Sequence, residues 1–217
     1  MVRGFFIVCM AKKLLLVRHG EVGEEYLDRY IGSTDISMSP RGREQVKAVR
    51  PLLQGNLPDL CISSTMKRCR DTAAILTEGS GIELIFDPDL REIDFGNWEG
   101  MTFEEILEDF PDEMDRWIEF SPEFIFPGGE RIGDFQARIE VAASRLAANP
   151  ADTLLLCTHG GVIRMLICHF LGLPFRQYIL FKVRHASLTT IELFGESGIL
   201  SGLNECGGTE KRARWLE

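Results

Sequence analysis

The strongest hydrophobic pattern along the chain is a pair of short apolar runs, each closed by histidine and glycine. They are Leu14-Leu15-Leu16-Val17-Arg18-His19-Gly20 and Leu154-Leu155-Leu156-Cys157-Thr158-His159-Gly160-Gly161, with the histidines 140 positions apart. Short apolar runs bounded by glycine read as strands buried on both faces, as in a parallel sheet. Further strands are predicted at Asp59 to Ser63, Glu83 to Phe86, Ser187 to Leu193 and Ile199 to Leu203.

Helical patterns alternate with these runs. Ser39-Pro40 reads as an N-cap followed by proline at the first helical position, with Val46 and Val49 facing inward and Pro51 ending or kinking the helix. A second helix is expected from about Met66 to Thr77, stopped by Gly79 and Gly81. Phe135, Ile139, Ala142, Ala143 and Leu146 have helical spacing up to Asn149-Pro150, and another helix follows from Val162 to Leu171. Glu21 to Ser37 is irregular and polar. The alternation predicts an α/β fold, a three-layer sandwich around a mainly parallel sheet, forming a single domain over 1–217.

One segment breaks the pattern. Trp98 to Phe126 holds seven aromatics in 29 residues, Trp98, Phe103, Phe110, Trp117, Phe120, Phe124 and Phe126. Thr102-Phe103-Glu104-Glu105 is a capping-box pattern, and Pro111 separates one short helix from a second around Asp112 to Glu119. We read this as a small helical cap inserted at about 101–127, with Pro127-Gly128-Gly129-Glu130 as its hinge. Most of the aromatics are expected to form the cap's own core, and one or two to line a pocket for a leaving group with a flat or apolar part.

Composition narrows the class. The chain has 217 residues, 45% hydrophobic and 26% charged, which is enough for a sizeable core. Its net charge of −9 argues against a general nucleic-acid binder but leaves a local phosphate site open, because the field in a cleft depends on nearby arginines. The six cysteines, at 9, 61, 69, 157, 168 and 206, make no Cys-x-x-Cys pair and read as reduced, mostly buried thiols. Cys168-His169 is a poor metal pair, since neighbours on a helix point about 100° apart. The apolar run at Phe5 to Cys9 is too short for a signal peptide or membrane span, and Met10 offers an alternative start. A cytoplasmic protein with no membrane partner is expected.

The chemistry follows from where the histidines fall. Side chains just past the ends of parallel strands sit at the crevice where open α/β sheets bind ligands. A lone histidine there is usually structural. Two on adjacent strands, with Arg18 and glycines that admit backbone to a ligand, point instead to a site for a phosphoryl group, with no cysteine or carboxylate cluster to hold a metal. Two further segments follow predicted strands, Ser63-Ser64-Thr65-Met66-Lys67-Arg68-Cys69-Arg70-Asp71-Thr72-Ala73 and Leu90-Arg91-Glu92-Ile93-Asp94-Phe95-Gly96-Asn97-Trp98-Glu99-Gly100.

With these motifs the chain resembles the histidine phosphatase superfamily, the phosphoglycerate mutase-like proteins. Arg18-His19-Gly20, the Ser64 to Ala73 segment, the Leu90 to Gly100 segment and Thr158-His159-Gly160-Gly161-Val162-Ile163-Arg164 stand in family order. The resemblance implies that His19 is the nucleophile and forms a phosphohistidine. It implies that Arg18, Arg68 and His159 hold the phosphoryl oxygens, with Gly160 beside them, and that Glu92 is the general acid and then the base. For that role the Glu92 pKa must be raised, as burial near Phe95 and Trp98 would do. Glu99 is expected to be structural, Ser64 and Thr72 to cap or brace the Arg68 helix, and Ile31-Gly32 to form a substrate-contacting turn. No metal or cofactor is implied. The expected partner is a small phosphorylated metabolite, and a homodimer is a further expectation.

The chain departs from the family pattern at Val22 and Glu25, where the family usually has threonine and a phosphate-contacting asparagine. Glu25 either points away from the site or meets another group on the substrate. The short stretch from Glu92 to His159, with Arg116 the sole basic residue between Gly100 and Glu130, favours a phosphomonoester hydrolase over a mutase. Phe95-Gly96-Asn97-Trp98-Glu99-Gly100, the Pro127 hinge and the aromatic segment are similar to α-ribazole-5′-phosphate phosphatases of cobalamin synthesis. A broad-specificity sugar-phosphate phosphatase, a phosphoglycerate mutase and a non-catalytic phospholigand-binding module are the alternatives.

Overall fold

A computed structural model describes residues 12–207. The Phe5 to Cys9 run, Met10 and residues 208–217 of the tail lie outside the described residues.

Six strands form one sheet: β1 (Lys12–Arg18), β2 (Leu60–Ser64), β3 (Glu83–Asp87), β4 (Thr153–Thr158), β5 (Leu188–Phe194) and β6 (Ser197–Glu205). Their order is β3-β2-β4-β1-β5-β6, with the first four mutually parallel, β5 antiparallel to β1 and β6 antiparallel to β5. The two apolar runs are therefore neighbours, as expected. Their register pairs Leu16 with Leu156 and Arg18 with Thr158, so His19 and His159 leave the sheet side by side.

Because side chains alternate across a strand, the buried runs serve two cores at once. Leu15, Val17, Cys61, Leu155 and Cys157 face one side. There they meet Val46 and Val49 of α1 (Pro40–Val49) and Ala73 and Leu76 of α2 (Lys67–Thr77). Leu14, Leu16, Ile62, Leu154 and Leu156 face the other, against α5 (Ile132–Ala148) and α6 (Gly160–Leu171). This is the three-layer sandwich. All five apolar positions predicted for the 135–146 helix are buried in α5.

Local signals fix the elements that carry the site. Ser39 Oγ accepts from Gly42 N at 2.9 Å, a cap worth about 1 kcal/mol, and Pro40 occupies the first turn. Gly20 and Gly42 allow α1 to press against the residues after β1: a Cβ on Gly20 would lie 2.3 Å from Gly42 O, and one on Gly42 2.1 Å from Glu21 O. Any larger residue at either position would push that loop away.

The 98–126 segment contains α3 (Phe103–Asp109) and α4 (Pro111–Ile118), with the Thr102–Glu105 capping box formed in both directions. Its aromatics do not close a core of their own. Trp98, Phe124 and Phe126, with Ile106 and Met114, join the cluster that contains Leu14 and Leu154. Phe103 is exposed.

Among the described residues no helix is long and apolar enough to cross a membrane. Cys61, Cys69, Cys157 and Cys168 are buried, free thiols.

Candidate active site

His19 lies one residue past β1 and is almost fully buried. Its Nδ1 lies 2.8 Å from the Gly20 carbonyl, which can only accept, so Nδ1 carries the proton and Nε2 keeps its lone pair. Burial, then the charges of Arg68, His159 and Arg18, push its pKa well below the ordinary histidine value. The ring is thus neutral near pH 7, with a nitrogen able to attack.

Two arginines surround it. Arg18 Nη1 donates to Val183 O at 2.7 Å, while its Nε is buried without a partner. Burial lowers its pKa to about 10, opposed by the nearby Glu92 charge, so it remains a cation. Arg68, fully buried in the first turn of α2, donates through Nη1 to Thr34 O, through Nη2 to Gly32 O and through Nε to His159 Nδ1. Three of its five N–H groups are engaged, leaving two for an anion.

His159, at the N-cap of α6, has its ring centroid 5.3 Å from that of His19. Since Arg68 donates to Nδ1, the proton sits on Nε2, 2.9 Å from Ser64 Oγ. Burial and the Arg68 charge keep this ring neutral as well. Ser64 Oγ thus accepts from His159 Nε2 and also from Met66 N at 3.4 Å, so it braces the start of α2, whose N-cap Met66 makes no side-chain cap bond of its own. Thr72 braces α2 as expected, through Oγ1 to Arg68 O at 2.7 Å.

Glu92 is half-buried, and its Oε2 accepts from Gly161 N at 2.9 Å. Its loop is held by Arg138, which donates to the carbonyls of Asp89, Arg91 and Glu92 and pairs with Glu130 at 2.8 Å. Thr158 Oγ1 ties β4 to Leu90 O at 2.7 Å. Gly160 packs between guanidinium groups: a Cβ there would lie 3.4 Å from both Arg164 Nη2 and Arg18 Nε.

The remaining expected residues have other settings. Glu99 is structural, accepting from the N–H groups of Gly32, Ser33, Thr34 and Phe95. Gly32 is fully used by Glu99 and Arg68, so it supports the arginine, while Ile31 lines the adjoining cleft. Glu25 is exposed and its carboxylate folds over Gly23, where an added Cβ would meet Oε2 at 2.6 Å.

Beside Arg18 and Glu92 opens a cleft of about 360 Å³, walled by Tyr30, Phe95, Trp117, Phe120, Phe126 and Tyr178 among others. Phe120 and Tyr178 rings lie 4.7 Å apart, and Phe175 stacks on Tyr178 at 5.7 Å and 11°. Arg164 lies over Tyr178 at 5.7 Å, makes no hydrogen bond or ion pair among the described residues, and has a buried, unpartnered Nε. Three aromatics of the 98–126 segment reach this cleft. The sequence reading missed Tyr30, Phe175, Tyr178 and Arg164, although the aromatic pair after Gly172-Leu173-Pro174 is visible as a signal. It also missed His185, whose ring centroid lies 5.3 Å from that of His19. Among the described residues no three His, Cys, Asp or Glu side chains converge as a metal-holding group.

Comparison with known proteins shows the family. The model of the histidine phosphatase superfamily, branch 1, matches residues 14–205. Phosphoserine phosphatase 1 of Hydrogenobacter thermophilus is 30% identical over 193 residues, 88% of this chain and 92% of that protein. The solved α-ribazole phosphatase of Shigella flexneri superposes with a TM-score of 0.81 at 26% identity, covering 89% of this chain and 96% of that one. A mycobacterial glucosyl-3-phosphoglycerate phosphatase, solved in complex with VO3, gives a TM-score of 0.78 at 30% identity, covering 90% and 100%. The chain belongs to the histidine phosphatase superfamily, branch 1.

Proposed function

We propose that the chain hydrolyses a phosphomonoester through a phosphohistidine at His19, without a metal. The observation that carries this is the neutral His19 ring, locked by Gly20 with Nε2 unprotonated, beside Arg18 and Arg68, with Glu92 held at Gly161. In the first step Nε2 attacks phosphorus, the ester P–O bond breaks and the Glu92 carboxyl gives its proton to the departing oxygen. In the second, water attacks phosphorus, Glu92 takes its proton, the P–N bond breaks and phosphate leaves. Arg18 and Arg68 balance charge on the phosphoryl oxygens throughout, each contact contributing about 1.5–3 kcal/mol. His159 joins them by exchanging Ser64 for a phosphoryl oxygen.

The aromatic walls favour a leaving group with a flat apolar face, and α-ribazole 5′-phosphate fits that description. The 98–126 segment acts as the cap over the cleft through Trp117, Phe120 and Phe126. Arg116, exposed and paired with Glu113, offers no second phosphate site from that segment, which supports hydrolysis over mutase chemistry. A second reading rests on Arg164: its unpartnered guanidinium suits a leaving group carrying a carboxylate, as in phosphoserine.

Phosphate release from a panel of α-ribazole 5′-phosphate, phosphoserine, glucosyl-3-phosphoglycerate, 3-phosphoglycerate and simple sugar phosphates, with chelator present, tests the proposal. Preference for α-ribazole phosphate supports the first reading and preference for the carboxylates the second. Equal turnover of all members supports a broad phosphatase. No release, or release abolished by chelator, contradicts the mechanism.

A further inference from the structure

His19 is flanked by two imidazoles, not one. The rings of His159 and His185 each lie 5.3 Å from that of His19, at 66° and 50° to it. The loop carrying His185 is pinned from both sides. Ala186 N donates to Arg18 O and His19 O at 3.1 Å, and Arg18 Nη1 donates to Val183 O at 2.7 Å. Arg184 N donates to Asn204 Oδ1 at 2.7 Å, and Ser187 Oγ to Arg184 O at 2.7 Å. Ala186 and Asn204 hold positive φ angles of 45° and 58°; the latter is common for asparagine, while the former is one that alanine rarely adopts.

None of those bonds uses the His185 side chain. Its ring is half-buried, yet neither ring nitrogen has a hydrogen-bond partner among the described residues, and neither is sealed inside the protein. Burial, with Arg18 and then Arg68 nearby, lowers its pKa to about 3, so it is a neutral imidazole with one N–H to give. Folding therefore explains the loop but not the imidazole. Its ring lies beside His19, within reach of a group bound there.

We infer that His185 is a further phosphoryl-contacting residue: its N–H donates to an oxygen of the phosphoryl group at His19. The tautomer with N–H toward the anion is selected on binding, and no proton is gained or lost. The inference rests on the reading of His19 as the nucleophile.

The test compares His185→Ala, His185→Asn and His185→Gln with the wild type for kcat/KM, for inhibition by inorganic phosphate and orthovanadate, and for melting temperature. A lost hydrogen bond to an anion predicts roughly tenfold or more weaker inhibition and a matching fall in kcat/KM for Ala. One of the amide variants, which keeps an N–H donor, should recover most of this, with melting temperatures unchanged. Wild-type inhibition and kcat/KM in the Ala variant overturn the inference, as does a loss that neither amide recovers. Trapping of phosphoenzyme in the wild type is measured alongside. If none forms while Ala still weakens inhibition, the nucleophile reading falls and the His185 contact stands.

Discussion

Gly161 donates its backbone N–H to Glu92 Oε2 at 2.9 Å, and a Cβ built on Gly161 would fall 2.2 Å from Glu92 Oε1. The proposed acid is thus seated on the first turn of the helix that follows His159, in a space that only glycine leaves open. Because the clashing atom ends a flexible side chain, Gly161→Ala should displace the carboxylate without unfolding the protein. We expect kcat to fall roughly 10²-fold with alkyl phosphates, the scale of a lost general acid, with little change in melting temperature. Wild-type kcat in that variant would show that the Glu92 position is not critical.

Glu92→Gln removes the proton but keeps the shape. Its kcat should drop roughly 10²- to 10⁴-fold with alkyl phosphates and much less with para-nitrophenyl phosphate, whose leaving group barely needs protonation. Equal losses on both substrates would assign Glu92 another role.

Glu25 is exposed and turned back over Gly23, so its charge is screened from the cleft by solvent. Glu25→Asn should leave both the phosphate inhibition constant and KM within about twofold of wild type. A several-fold gain in phosphate affinity would mean that the carboxylate swings into the site.

His19, His159 and His185 are held neutral by burial, the last with a pKa of about 3. Below the ordinary histidine value near 6.5 the unfolded chain binds protons that the folded chain refuses, so stability is lost as pH falls from about 6.5. Each such group costs about 1.4 kcal/mol per pH unit once well below that value. Melting temperature should fall steadily from pH 6.5 to 5, and less steeply in His185→Ala. A flat profile over that range would place protonated histidines in the folded state.

The sheet was legible because its central strands are buried on both faces and therefore read as unbroken apolar runs. β6 was read short, as Ile199 to Leu203, because it lies at the sheet edge with alternating exposure and glycines at 198 and 202. Arg18, His19 and His159 were legible from their place at the strand ends, and Arg68 and Glu92 from the family resemblance of the segments that carry them. Ser64 braces the start of α2 as expected, but its contact with His159 was not legible, because only the β2–β4 pairing brings the two together. Arg164 and His185 carry no local signal of a site: α6 brings Arg164 to the cleft and the 182–187 loop brings His185 to His19, and that is tertiary information.

The most direct measurement is rapid quench with labelled substrate, followed by mapping of the labelled residue. The account predicts an acid-labile, base-stable phosphoenzyme on His19 that forms and decays within turnover and is absent from His19→Ala. An unlabelled wild-type enzyme that still turns over, or the same adduct in His19→Ala, would contradict it.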